Sequence, residues 1–347
     1  MARTKYLLFI VLFFVACSRE NFDFKSIEKI DTHVHIRYNG PEFLDQAAAD
    51  NFKVVTILVD HYDIPWQRTF IEPQRQHHPD QFVYATSFTM KGWDEPDWQQ
   101  KTISQLDKDF ANGAVGVKVW KNIGMVDKDK DGNFIMIDDP KFDPIFDFIE
   151  SKGKTLIGHI GEPRDCWLPL DEMVAVSNRN YYKNHPQYHM YRHPDYPSYD
   201  EILASVKRML AKHPTIRYVG AHLASMEWSP EEMAKFLDQF PNAALDMAAR
   251  IDDLQYLDQK KVRQFLIDYQ DRILYATDLG INEESNPVNV ARRMHETWIN
   301  DWKYFATDSM VNIEGSDQQV QGLALPHTVI KKIYRENAIK WFPELGS

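Results

Sequence analysis

The chain has 347 residues, 44% of them apolar and 26% charged, so it can bury a large core and is neither disordered nor a multi-span membrane protein. With 40 Lys plus Arg against 51 Asp plus Glu the net charge is −11, which excludes a nonspecific grip on nucleic acid, because that needs a positive field. The two cysteines, Cys17 and Cys166, are too few for a disulfide scaffold or a Cys-rich zinc module.

Residues 1–16 read as a secretory signal. Arg3 and Lys5 precede an apolar run, Tyr6 to Ala16, about half as long as a membrane-crossing helix needs to be. Phe14-Val15-Ala16-Cys17-Ser18 resembles a bacterial lipobox, in which cleavage leaves Cys17 to carry lipid; Phe14 departs from the usual Leu-like residue. The alternative is an ordinary signal peptide with an incidental cysteine. The expectation is an exported protein, periplasmic or anchored to the outer membrane only through that lipid. Residues 17–26 would be a short tether and 27–347 the functional domain. Removing Arg3 and Lys5 with the signal moves the charge from −11 to −13 and leaves Cys166 as a lone thiol.

Eight short apolar or β-branched runs follow: Lys29–Thr32, Val54–Val59, Phe82–Ser87, Ala114–Val119, Thr155–Ile160, Arg217–Ala221, Ala243–Asp246 and Arg272–Ala276. Helical signals fill most of the intervals. Asp143-Pro144 reads as a cap with proline at the first helical position, and Gly153 as its stop. Ser198 with Glu201, and Ser229 with Glu232, read as capping boxes. Strands alternating with helices predict an α/β fold, a single (β/α)8 TIM barrel with an enlarged loop after strand 5, between Gly161 and Asp200. An open doubly wound sheet would instead place a Gly-rich turn after the first strand, where Asp31-Thr32-His33-Val34-His35 stands.

In such a barrel the chemistry sits where strands end. The first run leads into His33 and His35, which alternation puts on one face. The fourth contains Lys118, the fifth ends in His159, the sixth leads to His222 and the eighth to Asp278. Each alone reads as a hydrogen-bonded core histidine or a helix cap. Together, imidazoles and a carboxylate converging at one barrel mouth predict a site for a divalent first-row metal, zinc foremost.

These motifs, with Ala276-Thr277-Asp278 and the closing Ile333-Tyr334-Arg335-Glu336-Asn337-Ala338 and Trp341-Phe342, resemble the amidohydrolase superfamily. The resemblance is to the amidohydrolase-related (amidohydrolase 2) branch, which includes decarboxylases and lactonases. It implies that His33, His35, His159 and Asp278 hold one or two divalent ions that acidify a water. Asp278 would accept the water's proton and pass it to the leaving group, and His222 would orient the water or polarise the substrate carbonyl. Lys118 would be a carboxylated bridge between two metals, a substrate-binding cation or part of a buried ion pair.

The leading function is hydrolysis of a small cyclic amide, lactone or related ester. Nonoxidative decarboxylation on the same site is the alternative, and a non-catalytic ligand-binding lipoprotein the third reading. Candidates for touching the small-molecule substrate are Trp120, Glu162, Arg250, and Tyr181, His189 and Arg192 from a segment read as a lid or as a rigid loop packed on the barrel. The sequence does not set the oligomeric state, and a homo-oligomer fits it. Asp127 to Asp138 imitates a calcium loop, but its Asp131-Gly132 step reads more simply as a hairpin turn, followed by a short strand at Ile135 to Ile137.

Overall fold

The computed structural model describes residues 22–346. The expected signal peptide and Cys17 lie outside the described residues. Among the described residues no helix is long and apolar enough to cross a membrane.

The centre of the molecule is one parallel sheet of nine strands. They are β1 (Lys29–Arg37), β2 (Phe52–Ile57), β3 (Phe82–Ser87), β4 (Ala114–Val119), β5 (Thr155–Gly158), β6 (Tyr218–Gly220), β7 (Ala243–Asp246), β8 (Ile273–Leu274) and β9 (Gly280–Asn282). Their order is β8-β7-β6-β5-β4-β3-β2-β1-β9. Helices between the strands cover the outside, so β4 and β5 are buried on both faces.

The two ends of that order, β8 and β9, are separated in the chain only by residues 275–279. Main-chain bonds join this stretch to β1: Thr32 N to Tyr275 O at 3.1 Å, Asp278 N to His33 O at 2.8 Å and His35 N to Leu279 O at 2.8 Å. The sheet therefore curls until its ends meet along residues 273–282. One cluster of apolar side chains, including Ile30, Val55, Ala85, Val115, Ile157, Val219, Ala244 and Leu274, packs with Trp341 and Phe342 from the C-terminus. The Trp341 carbonyl accepts from Thr155, the first residue of β5, so this plug sits at the strand starts, away from the strand ends.

Several local expectations change. β1 runs on through His33 and His35 to Arg37, and β9 falls on none of the eight runs. The helix at 143 starts at Asp143, with Phe142 in the capping position and no side-chain cap. The Asp143 carboxylate is taken instead by Lys212 Nζ at 2.6 Å and His213 Nε2 at 3.2 Å. Ser198 and Glu201 form the full capping box. At Ser229 only half of it forms: Glu232 N donates to Ser229 Oγ at 3.2 Å, while that hydroxyl donates to Glu231.

The calcium-like segment is a hairpin, with Lys128 paired to Phe134 and Gly132 at φ +87°. Asp129 Oδ1 is occupied by the amides of Asp131 and Asn133, and Asp138 by Arg208. Residues Ile135 to Ile137 form no strand. The interval after β5 holds a helix, Val176–Asn184, and tight turns at Arg164–Trp167, Pro186–Tyr188 and Met190–Arg192.

Candidate active site

The ends of β1, β5, β6 and β7 and the residues just after β8 bring together most of the side chains singled out in the sequence. His33 and His35 both leave β1 on the inner face. His33 Nδ1 lies 3.0 Å from Asp246 Oδ2 at the end of β7, and His35 Nδ1 lies 2.8 Å from the Ile57 carbonyl at the end of β2. His222 Nδ1 lies 2.8 Å from the Ala248 carbonyl. A carbonyl oxygen only accepts, so Nδ1 of His35 and of His222 carries the proton and Nε2 is left with a lone pair. These outer partners fix ring and tautomer together, as they do behind metal-binding histidines.

The Nε2 atoms converge on Asp278. Its Oδ1 lies 3.1 Å from His35 Nε2 and 3.5 Å from His33 Nε2. Candidate ligand atoms of His33, His222 and Asp278 all fall within 4.8 Å of one another. His159 sits behind this group, its Nδ1 3.1 Å from His222 Nε2. Because His222 Nε2 must accept there, His159 Nδ1 donates, and the lone pair of His159 Nε2 is left buried with no hydrogen-bond partner. Burial, and then the nearby lysines, keep His159 far below the usual imidazole range; burial, with His159 next, does the same for His222. Both are neutral, the form that coordinates a metal. An unpaired buried lone pair beside inward Nε2 atoms and a carboxylate is a donor set that fits a divalent first-row ion.

Holding this set requires unusual backbone. His222, Leu223, Ala224 and Ser225 all adopt positive φ, and Asp278 has φ +67°. Non-glycine residues pay for that conformation, and such strain clusters at functional sites. Here it is pinned by Asp246, whose Oδ1 accepts from the amides of His222 at 2.8 Å and Ala248 at 3.1 Å. Burial works against ionisation of Asp246, but His33, His222 and Lys118 outweigh it and hold the carboxyl at about 2.

Asp31 does comparable work between β1 and the chain after β8. It accepts from Thr277 N at 3.1 Å, Thr277 Oγ1 at 2.6 Å and Trp298 Nε1 at 3.1 Å. Neither Asp246 nor Asp31 was among the residues singled out, although Asp246 closes the seventh run and the strand-end rule reaches it. Lys118 is buried with Nζ 3.1 Å from His33 Nε2, and burial pulls its amine down to about 8.

Above these residues lies a cavity of about 690 Å³ that includes Trp120, Glu162, Tyr181 and Arg250 in its wall. The Trp120 ring stands 5.1 Å from that of His159, with its Nε1 buried and unpartnered. Glu162 is bonded to Lys121 and lies 3.8 Å from Arg250 Nη2. His189 and Arg192 are not in this wall. His189 is turned inward, with Nε2 2.8 Å from the Leu168 carbonyl and its ring against Tyr182, and Arg192 is exposed. The tight turns on either side of His189 direct it into the packing of its own segment. Arg37 and His61 line the cavity and were not anticipated, and Tyr182, from the segment read as a lid or a packed loop, lines it too.

The sequence matches the family model described as amidohydrolase over residues 91–343. No curated protein matches. Among solved structures, 2,6-dihydroxybenzoate decarboxylase from Rhizobium is similar with a TM-score of 0.52 and 15% identity, over 91% of this chain and 99% of that one. Dihydroorotase from Saccharomyces cerevisiae gives 0.48 and 12%, over 91% and 84% of the two chains. 4-Oxalomesaconate hydratase from Rhodopseudomonas palustris gives 0.48 and 12%, over 92% and 96%. At 15% identity the likeness to the decarboxylase is one of fold.

Proposed function

The chain belongs to the amidohydrolase family of metal-dependent enzymes, and from that premise we propose that it hydrolyses a small cyclic amide, lactone or related ester. The observation that carries this reading is Asp278 Oδ1 facing the Nε2 atoms of both His33 and His35 at the floor of an open cavity. We read the curled sheet as a (β/α)8 barrel in which β8 and β9 are one interrupted strand. His33, His35 and Asp278 would hold the ion, zinc foremost, with one member of the His159–His222 pair. The resemblance favours His159, and the spacing of ligand atoms favours His222.

When bound, the metal supplies Lewis acidity, polarising a substrate oxygen and acidifying water. Asp278 is the base: its partly exposed carboxylate faces the cavity, takes the water's proton and returns it to the leaving group. The histidine of the pair that is not a ligand helps to orient the water, since a neutral imidazole with its proton on Nδ1 can only accept at Nε2. Trp120 and Tyr181 shape the wall beside it, and the Lys121–Glu162–Arg250 group fixes the charge at its back.

The test follows base-titrated acid release from lactones, amine release from lactams and carbon dioxide release from aromatic acids in parallel, with metal content measured on the same sample. Acid release that is lost in Asp278→Ala is expected. Carbon dioxide release without hydrolysis would replace the reading by decarboxylation, the reaction named for the Rhizobium enzyme of similar fold. Tight binding without turnover under any metal would replace it by a binding protein. Two ions per chain would assign Lys118 as a carboxylated bridge, and one ion would leave it as the buried amine beside His33. Export with lipid on Cys17 belongs to the same proposal, and labelling with a radioactive fatty acid tests it.

A further inference from the structure

The cavity above Asp278 opens into a second recess of about 380 Å³. The two share Asp252, Thr277 and Glu314 in their walls, so a substrate held over Asp278 can reach into it. The recess is formed by the short helix Ile251–Gln255, the long helix Pro287–Ala306, and the tip of a hairpin made by β10 (Met310–Asn312) and β11 (Gln319–Gln321).

Its chemistry is lopsided. Asp252, Glu296, Asp301 and Glu314 all line it. Glu296 is paired with Arg292 at 3.0 Å. Arg293 is the one cation in the lining, is exposed, and forms no ion pair among the described residues. Asp301 is only 6% exposed; its Oδ2 accepts from Tyr275 at 2.7 Å, and its Oδ1 has no partner among the described residues. Gln255, 5% exposed, also lines the recess, and its side-chain amide has no partner among them either. Two side chains more than nine-tenths buried thus present to an open space hydrogen-bonding atoms that no described residue takes.

We propose that the recess receives a positively charged nitrogen of the substrate, an ammonium group, held by Asp252, Asp301 and Glu314 with the Gln255 side-chain carbonyl. An ammonium has three donors and no acceptor, which matches a wall of acceptors. An anion would meet the carboxylates, and an apolar group would leave them desolvated and unpaired. Burial, with Glu314, Asp31 and Asp252 next, pushes the Asp301 carboxyl up to about 8, so in the empty recess it keeps its proton near neutrality. An arriving cation favours the carboxylate, and that proton leaves. The assignment rests on the hydrolase reading only in treating the recess as part of the substrate cavity.

The experiment is calorimetric titration of the metal-loaded full chain at neutral pH with α-amino-ε-caprolactam and with ε-caprolactam, which lacks the amine. The aminolactam is expected to bind at least about tenfold more tightly, a difference of about 1.4 kcal/mol, with a buffer-dependent heat from proton release. The preference is expected to collapse in Asp301→Asn and in the double variant Asp252→Asn, Glu314→Gln. Equal affinity for the two lactams, binding of neither, or a preference that survives both variants overturns the proposal. Competition by calcium chloride alone would reassign the recess to an inorganic cation. Ring opening is followed separately by chromatography of the amino acid it would release: amine-selective binding without ring opening removes the hydrolase reading and leaves the recess assignment standing.

Discussion

Asp246 decides more of this site than any residue the sequence brought forward. One of its oxygens fixes the His33 ring and the other holds the amides of His222 and Ala248 in their strained turn. Replacing it by Asn keeps the size but removes the charge facing His33. Asp246→Asn is expected to weaken metal affinity by about 10–100-fold, the usual cost of losing an outer-shell partner, as read by competition with a chromophoric chelator. The histidines and Asp278 were legible because ligand residue types at strand ends stand out against a barrel pattern. The strand-end rule reaches Asp246 as well, but a lone aspartate there, like Asp31 within β1, carries no sign that its partner is an imidazole or an amide from another strand. His189 shows the opposite failure. Its neighbours suggested a substrate contact, yet its imidazole is spent on the Leu168 carbonyl.

At the scale of elements, local rules held where the partners are close in sequence. The Ser198 box forms because both of its bonds close within one turn of the helix Tyr199–Lys212. Ser198→Ala is expected to cost about 1 kcal/mol, seen as a lower midpoint in thermal unfolding with unchanged metal content. Asp143 failed as a cap because distant cations compete for it: Lys212 and His213 arrive from the far end of that same helix. The break between β8 and β9 was also invisible: the stretch between them holds Asp278 at positive φ, with its carboxylate toward the histidines. A residue pattern reports burial and alternation, and a single left-handed residue alters neither.

For the molecule as a whole, the carboxyl buried beside the recess ties stability to pH. Burial raises the Asp301 carboxyl from 3.8 to about 8. The unfolded chain therefore ionises there first, and the native state binds more protons between those two values. The stability tied to this proton is fully present below 3.8 and is lost progressively as pH rises through about 8. Asp301→Asn, which cannot ionise, is expected to flatten the fall of the thermal midpoint between pH 5 and pH 8 (about the range of the shift), measured by calorimetric scans across that interval. A midpoint falling as steeply as in the parent chain would assign the slope to other groups.

The closure of the sheet has a consequence for how the polypeptide is made. β1 is made long before residues 275–282, yet its outer edge waits for them, and the strand starts wait for Trp341 and Phe342. Long-range pairings of this kind cannot form until both partners have been made, so the nascent chain stays unsealed, and open to proteases, until residues 341 and 342 have emerged. Deleting residues 341–347 is expected to leave a chain that limited proteolysis digests at once, whereas the intact chain resists.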